Sequence, residues 1–164
     1  MIVKYYEDKV EKSEKSIFLA GPTPRKESVV SWRPQAIKIL KKLGFNGTVY
    51  IPEFKIFKNP HQDSEEIGKI FSWEHEGLNE SNVIAFWVPR DLIDMPAFTT
   101  NVEFGLFLHT NNVIYARPED APNNIYLDWL YKRDYKKEPI NNLNDLMKAS
   151  IKKLEIAKEQ KIRR

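Results

Sequence analysis

The residues of this chain that could make and break bonds are carboxylates. One of them, Glu103, lies in the stretch TTNVEFG, Thr99 to Gly105, just inside what reads as the start of a helix. Two readings compete. Thr100-x-x-Glu103 fits a capping box, in which the threonine hydroxyl and the glutamate each satisfy a free backbone N–H of the first turn. The same carboxylate could instead attack a substrate. Further acids stand at Glu74 in FSWEHEG and at Asp91 and Asp94 in PRDLIDMPAFTT. Two carboxylates flanking a scissile bond are what glycosidic cleavage needs: one attacks the anomeric carbon, and the other helps the leaving group take a proton.

Other chemistries are disfavoured. The chain has no cysteine, which removes a disulfide framework, a thiolate zinc site and a cysteine nucleophile together. His61, His75 and His109 show no metal-ligand spacing, so no metal is expected. There is neither a G-x-G-x-x-G nor a G-x-x-x-x-G-K-[ST] signature, and LAGPTPR carries a single glycine. The net charge of +3 over 164 residues sits largely in the tail KKLEIAKEQKIRR, without the basic, aromatic-interleaved face that nucleic acid would require. No apolar run reaches the length of a membrane span, and the charged first residues lack a signal-peptide core, so no membrane partner and a cytoplasmic location are expected.

The elements that must position these acids follow from periodicity. SIFLAG, TVYIP, NVIAFWVP and NVIYARP read as strands, and IVKYY as an additional edge strand. NVIAFWVP is apolar on both faces, as an inner strand of a parallel sheet is. Helices are expected over Val30 to Leu43, stopped by Gly44, over Ser64 to Glu80, from Thr100 onward, and over Asn123 to Tyr131. Leu143, Leu146, Met147, Ile151 and Leu154 mark a closing amphipathic helix. This alternation predicts an α/β fold in one domain of residues 1–164, a three-layer sandwich with a mainly parallel sheet of four to five strands.

In such sheets ligands bind beyond the carboxyl ends of the strands, where the strand order reverses. The residues arriving there are Gly21-Pro22-Thr23, Pro52-Glu53, Pro89-Arg90-Asp91 and Arg117-Pro118, with Glu103 opening the next helix. A carboxylate in a first turn would be held ionised by the helix dipole, worth about 0.3–1 kcal/mol.

Four segments in order, SIFLAGPTPR, SW before RPQAIKIL, FSWEHEGLNESNVIAFWVPR and TTNVEFGLF, resemble the nucleoside 2-deoxyribosyltransferase family, and most closely its branch with FLAGP and SWE signatures. The resemblance covers roughly Ser16 to Asp128. It implies a flavodoxin-like fold and cleavage of the N-glycosidic bond of 2'-deoxyribonucleosides. The glutamate of the family's x-E-[LFM]-G helix start, its nucleophile, falls on Glu103, and an upstream acid that contacts substrate falls on Glu74. The implied course is a deoxyribosyl ester on Glu103 that a second nucleobase resolves. The resemblance further implies no metal or organic cofactor, small-molecule nucleoside and nucleobase as partners, and a homo-oligomer.

The match also has departures. Where some members carry a first-strand tyrosine that orients the nucleophile, this chain has Phe18. An aspartate near the base falls on Asp91 or Asp94; Asp94 is closer to Glu103 in sequence, and either could be a turn residue. Trp73 fits the core better than base stacking, though both stand open. Gly21, Arg33 and Arg90 are further candidates for the substrate site, Arg33 equally as a helix-surface residue. Two rivals remain. One is a hydrolase of the same bond, acting on nucleosides or on monophosphates held by Arg25, Arg33 or Arg90. The other is a non-catalytic nucleotide-binding or sensing domain.

Overall fold

Apolar runs that are covered on both sides become strands here, and the turn residues after them open toward one end. The computed structural model describes residues 1–58 and 64–162; His61 lies outside them. The strands are β1 (Ile2–Lys4), β2 (Ser16–Ala20), β3 (Thr48–Tyr50), β4 (Val83–Trp87) and β5 (Val113–Ala116). They pair in the order β1-β3-β2-β4-β5, every pair parallel. The helices are α1 (Arg33–Lys42), α2 (Ser64–Glu80), α3 (Phe98–Phe107), α4 (Ile125–Tyr135) and α5 (Leu143–Ile162). The molecule is an α/β protein with an all-parallel five-stranded sheet flanked by helices, consistent with a flavodoxin-like fold. No described helix is long and apolar enough to cross a membrane.

Alternation along the strands sorts the core into two layers. Ile17, Leu19, Val83, Ala85 and Trp87 pack with residues of α1 and α5. Phe18, Ala20, Ile84, Phe86 and Val88 pack with residues of α2, α3 and α4. Every residue of β2 and β4 is buried, as expected of strands covered on both faces. The chain leaves β2 through α1 to β3 and then returns past β2 through α2 to β4. The strand order therefore reverses between β2 and β4, and their carboxyl ends form the crevice.

Three helix starts differ from expectation, one of them that of α4, which begins at Ile125 rather than Asn123 and runs to Tyr135 rather than Tyr131. The first helix begins at Arg33 rather than Val30. Pro34, lacking an N–H, is tolerated only in a first turn, which limits how far upstream the helix can reach. The helix expected from Thr100 begins at Phe98 instead, on Ala97, which adopts a left-handed conformation (φ 61°, ψ 36°) and has no side-chain cap. Thr100 is buried inside the helix. Glu103 therefore lies in the second turn, beyond the free N–H groups. Neither the capping box nor the first-turn dipole applies to it.

Candidate active site

The carboxyl end of the sheet holds a cavity of about 560 Å³, with Glu74 and Glu103 both on its wall. Glu74 comes from α2, whose Gly77 makes this approach possible. A Cβ at Gly77 would stand 2.7 Å from the ring of Phe18, so only glycine lets that face of the helix lie on β2. Glu103 comes from α3, one residue before the buried Phe104, whose ring meets Phe86 and Tyr115 edge to face. With Phe104 anchored in the core, Glu103 is turned along the helix surface to the cavity.

The two carboxylates sit in an environment that disfavours charge. Burial, and after it the negative charge of Glu74, pushes Glu103 up to about 7, while Arg33 opposes the shift. Burial also raises Glu74 above the usual carboxylate range, against a hydrogen bond from Tyr6 and the charge of Arg33. The Tyr6 hydroxyl donates to Glu74 Oε1 at 2.6 Å. Glu103 is thus not held ionised by its helix; the site makes it a carboxyl that changes charge near neutrality.

Arg33 is fully buried and lies beneath the cavity rather than on its wall. Its Nε donates to Leu19 O at 3.0 Å and one terminal nitrogen donates to Gly21 O at 2.7 Å. The other terminal nitrogen donates to Glu53 Oε1 at 2.6 Å and to Thr23 Oγ1 at 3.2 Å. The guanidinium ties the loop after β2 to the end of β3 and places a fixed positive charge under both acids. Gly21 does line the cavity, with φ 144° and a Cβ position 2.1 Å from Trp87 O. No other residue could bring that turn so close to β4.

The remaining sequence candidates stand away from the cavity wall. Phe18 is in the core, and Trp73 is too, its Nε1 donating to Asp8 O at 2.7 Å. Arg90 is buried and committed to Pro96 O, Asn101 and Asn124, bracing the loop before α3. Asp91 is a turn residue whose Oδ1 accepts from the N–H groups of Ile93 and Asp94, and these bonds hold its carboxyl below the usual range. Asp94 pairs with Lys26 at 2.8 Å. Neither aspartate is among the residues that line the cavity. Their loop closes on itself through the Asp91–Met95 bridge, with Asp91 exposed and Asp94 half-buried against Lys26.

Sequence reasoning missed the aromatic part of the wall, which Tyr6, Phe54, Phe71 and Phe98 supply. Glu53, expected at the end of its strand, adds a carboxylate, and Arg25, expected as a phosphate holder, a cation 5.6 Å from the ring centre of Phe98. Phe71 could have been found three residues before Glu74 on the same helix face. Tyr6 could have been found by applying the carboxyl-end rule to β1, which is parallel to its neighbour and so delivers its following residues to the same crevice.

No curated protein matches this chain. A sequence model of the family described as nucleoside 2-deoxyribosyltransferase like matches residues 14–121, which include Gly21, Glu74 and Glu103 and leave β1 and Tyr6 outside. With more than half of its length matched, and both wall carboxylates inside the match, the chain belongs to the nucleoside 2-deoxyribosyltransferase-like family.

Proposed function

We propose that the protein cleaves the N-glycosidic bond of 2'-deoxynucleosides and transfers the sugar to another nucleobase, in the branch of the family with FLAGP and SWE signatures. The observation that carries this reading is the pair of carboxylates on one cavity wall, Glu103 and Glu74, in an environment that sets Glu103 near neutrality. In its ionised form Glu103 attacks C1'. The C1'–O ester bond forms while the C1'–N bond breaks, its electron pair leaving with the base and the proton of Glu74 joining a ring nitrogen. The incoming base then attacks C1', the ester electrons return to Glu103, and the proton lost by that base returns to Glu74. The oxocarbenium-like transition state gains positive charge, so nearby carboxylates favour it over the neutral ground state. The aromatic walls suit the faces of a base. No cofactor takes part in these steps.

One observation favours a second reading. Arg25 lines the mouth of the cavity, where it could bind the phosphate of a nucleoside monophosphate whose bond is then hydrolysed. Of the three arginines considered for phosphate, Arg33 and Arg90 are already committed to protein groups. Incubating a deoxynucleoside with and without a second free base separates the two readings. New nucleoside means transfer, and sugar release regardless of added base means hydrolysis. Nucleoside binding without turnover in both the wild type and Glu103→Ala would point to a sensing domain instead. A homo-oligomer is supported by Phe98, Val102 and Leu106, apolar and exposed at four-residue spacing along α3; light scattering tests it.

A further inference from the structure

The residues that precede the family match do more than extend the sheet. β1 pairs with β3 up to Lys4, opposite Tyr50, and the chain then turns back on itself at residues 5–8. That turn is fastened on several sides. Tyr6 N–H donates to Glu53 O at 3.2 Å, Tyr5 N–H donates to Asp8 Oδ2 at 2.9 Å, and Trp73 Nε1 donates to Asp8 O at 2.7 Å. Lys55 closes it with an ion pair to Asp8 at 3.0 Å. The Tyr6 ring is wedged between Phe54 and Trp73, edge to face, with centroids 5.2 and 5.1 Å away. A ring so held can place its hydroxyl in only one region, and there it meets Glu74 Oε1 at 2.6 Å. Among the described residues Oε2 of Glu74 has no protein donor.

We infer that Tyr6 is a positioning residue for the reaction: by donating its hydroxyl to Oε1 of Glu74, it holds that carboxyl with Oε2 toward the cavity, where Oε2 exchanges the proton with the base. This rests on the transfer reading above, because it presumes that Glu74 handles that proton. Tyr6 does not supply the proton itself. Burial, and then the charge and hydrogen bond of Glu74, hold its phenol well above the ordinary range, so it remains a donor at every working pH. A carboxyl with one oxygen so engaged loses its freedom to swing, and a proton aimed at a ring nitrogen transfers more readily than one on a rotating group. The charged and titratable groups facing Glu74 are Tyr6 from the segment after β1, Arg33 from α1 and Glu103 from α3.

The test is Tyr6→Phe, which keeps the ring and both aromatic contacts and removes only the hydroxyl. The carboxyl carbon of Glu74, assigned by its loss in Glu74→Gln, is titrated by 13C NMR in wild type and variant, and kcat and KM for deoxynucleoside cleavage are measured beside it. The expected result is a Glu74 midpoint moved upward, because a bond favouring the charged form is gone. With it, kcat should fall by about 10- to 100-fold at little change in KM. Because phenylalanine keeps the ring packing that buries Glu74, the shift reports the lost hydroxyl. A midpoint that stays put, or one that moves while kcat does not, overturns the inference. Should Tyr6→Phe not fold, a fluorinated tyrosine at position 6 donates more strongly and should move the midpoint down; an unmoved midpoint again overturns it. If the wild type turns over no nucleoside, the transfer reading fails, while the titration still decides whether Tyr6 holds Glu74.

Discussion

Glu74 keeps Glu103 from ionising easily: after burial, its charge is the largest cause that pushes Glu103 up to about 7, across a cavity the two share. The proposed attack needs Glu103 without its proton and Glu74 with one, so the active form holds a single proton between the two carboxyls. The ratio kcat/KM should then fall about tenfold per pH unit on either side of a maximum, the alkaline limb setting in near 7 as the last proton leaves. Glu74→Gln removes both the opposing charge and that proton, so it should lower the maximal rate and abolish the alkaline limb, leaving an acid limb alone. A pH profile of kcat/KM for both proteins checks the two changes together.

The same carboxyl should make the protein less stable as the solution becomes more alkaline. Folding raises the Glu103 value from 4.5 to about 7, so between these pH values the folded state holds a proton that the unfolded chain releases. By linkage, stability falls as pH rises through that window, by at most about 3 kcal/mol. Below it both states are protonated and the effect vanishes. Glu103→Gln should therefore match the wild type near pH 4.5 and exceed it at pH 8. At pH 8 it should melt roughly 5–10 °C higher, a difference that calorimetry at the two pH values reads.

Removing Arg33 should cost stability and shift chemistry at once. Its guanidinium holds three carbonyl oxygens, Thr23 and Glu53 from a fully buried position. Arg33→Met leaves Glu53 and those carbonyls without their partner, at about 3–5 kcal/mol in urea unfolding. Wherever the variant still folds, its pH optimum should lie above the wild-type optimum, since Arg33 lowers the values of both Glu103 and Glu74. Arg33→Lys should recover part of the electrostatic effect and little of the stability, because an ammonium cannot reproduce the planar fork.

The fold was legible because both of its signals are local. SIFLA and VIAFW are unbroken apolar runs, and Ser64 to Glu80 carries its helix period throughout, so these elements lie where periodicity puts them. The start of α3 was not legible, because the choice between Phe98 and Thr100 is made by tertiary packing. Thr100 is buried and Ala97 takes a strained left-handed turn that no propensity scale favours. At the site, the two glutamates carried a helix-start motif and a short signature and could be named. Tyr6 carried neither. It reaches Glu74 across 68 residues of sequence through an edge strand of three residues. The places of the arginines were not legible for a related reason. A guanidinium beside a cavity and one beneath it read alike, and only the geometry shows Arg33 and Arg90 turned to backbone oxygens.

In the proposed transfer Glu103 becomes covalently bonded to the sugar during turnover. Acid quenching of the protein during reaction with a 2'-deoxynucleoside, followed by peptide mass spectrometry, detects that bond. The expected product is a peptide containing Glu103 heavier by one deoxyribosyl group, absent from Glu103→Gln and discharged when free nucleobase is added before the quench. Steady turnover with no such adduct, or an adduct on another residue that survives in Glu103→Gln, would contradict it.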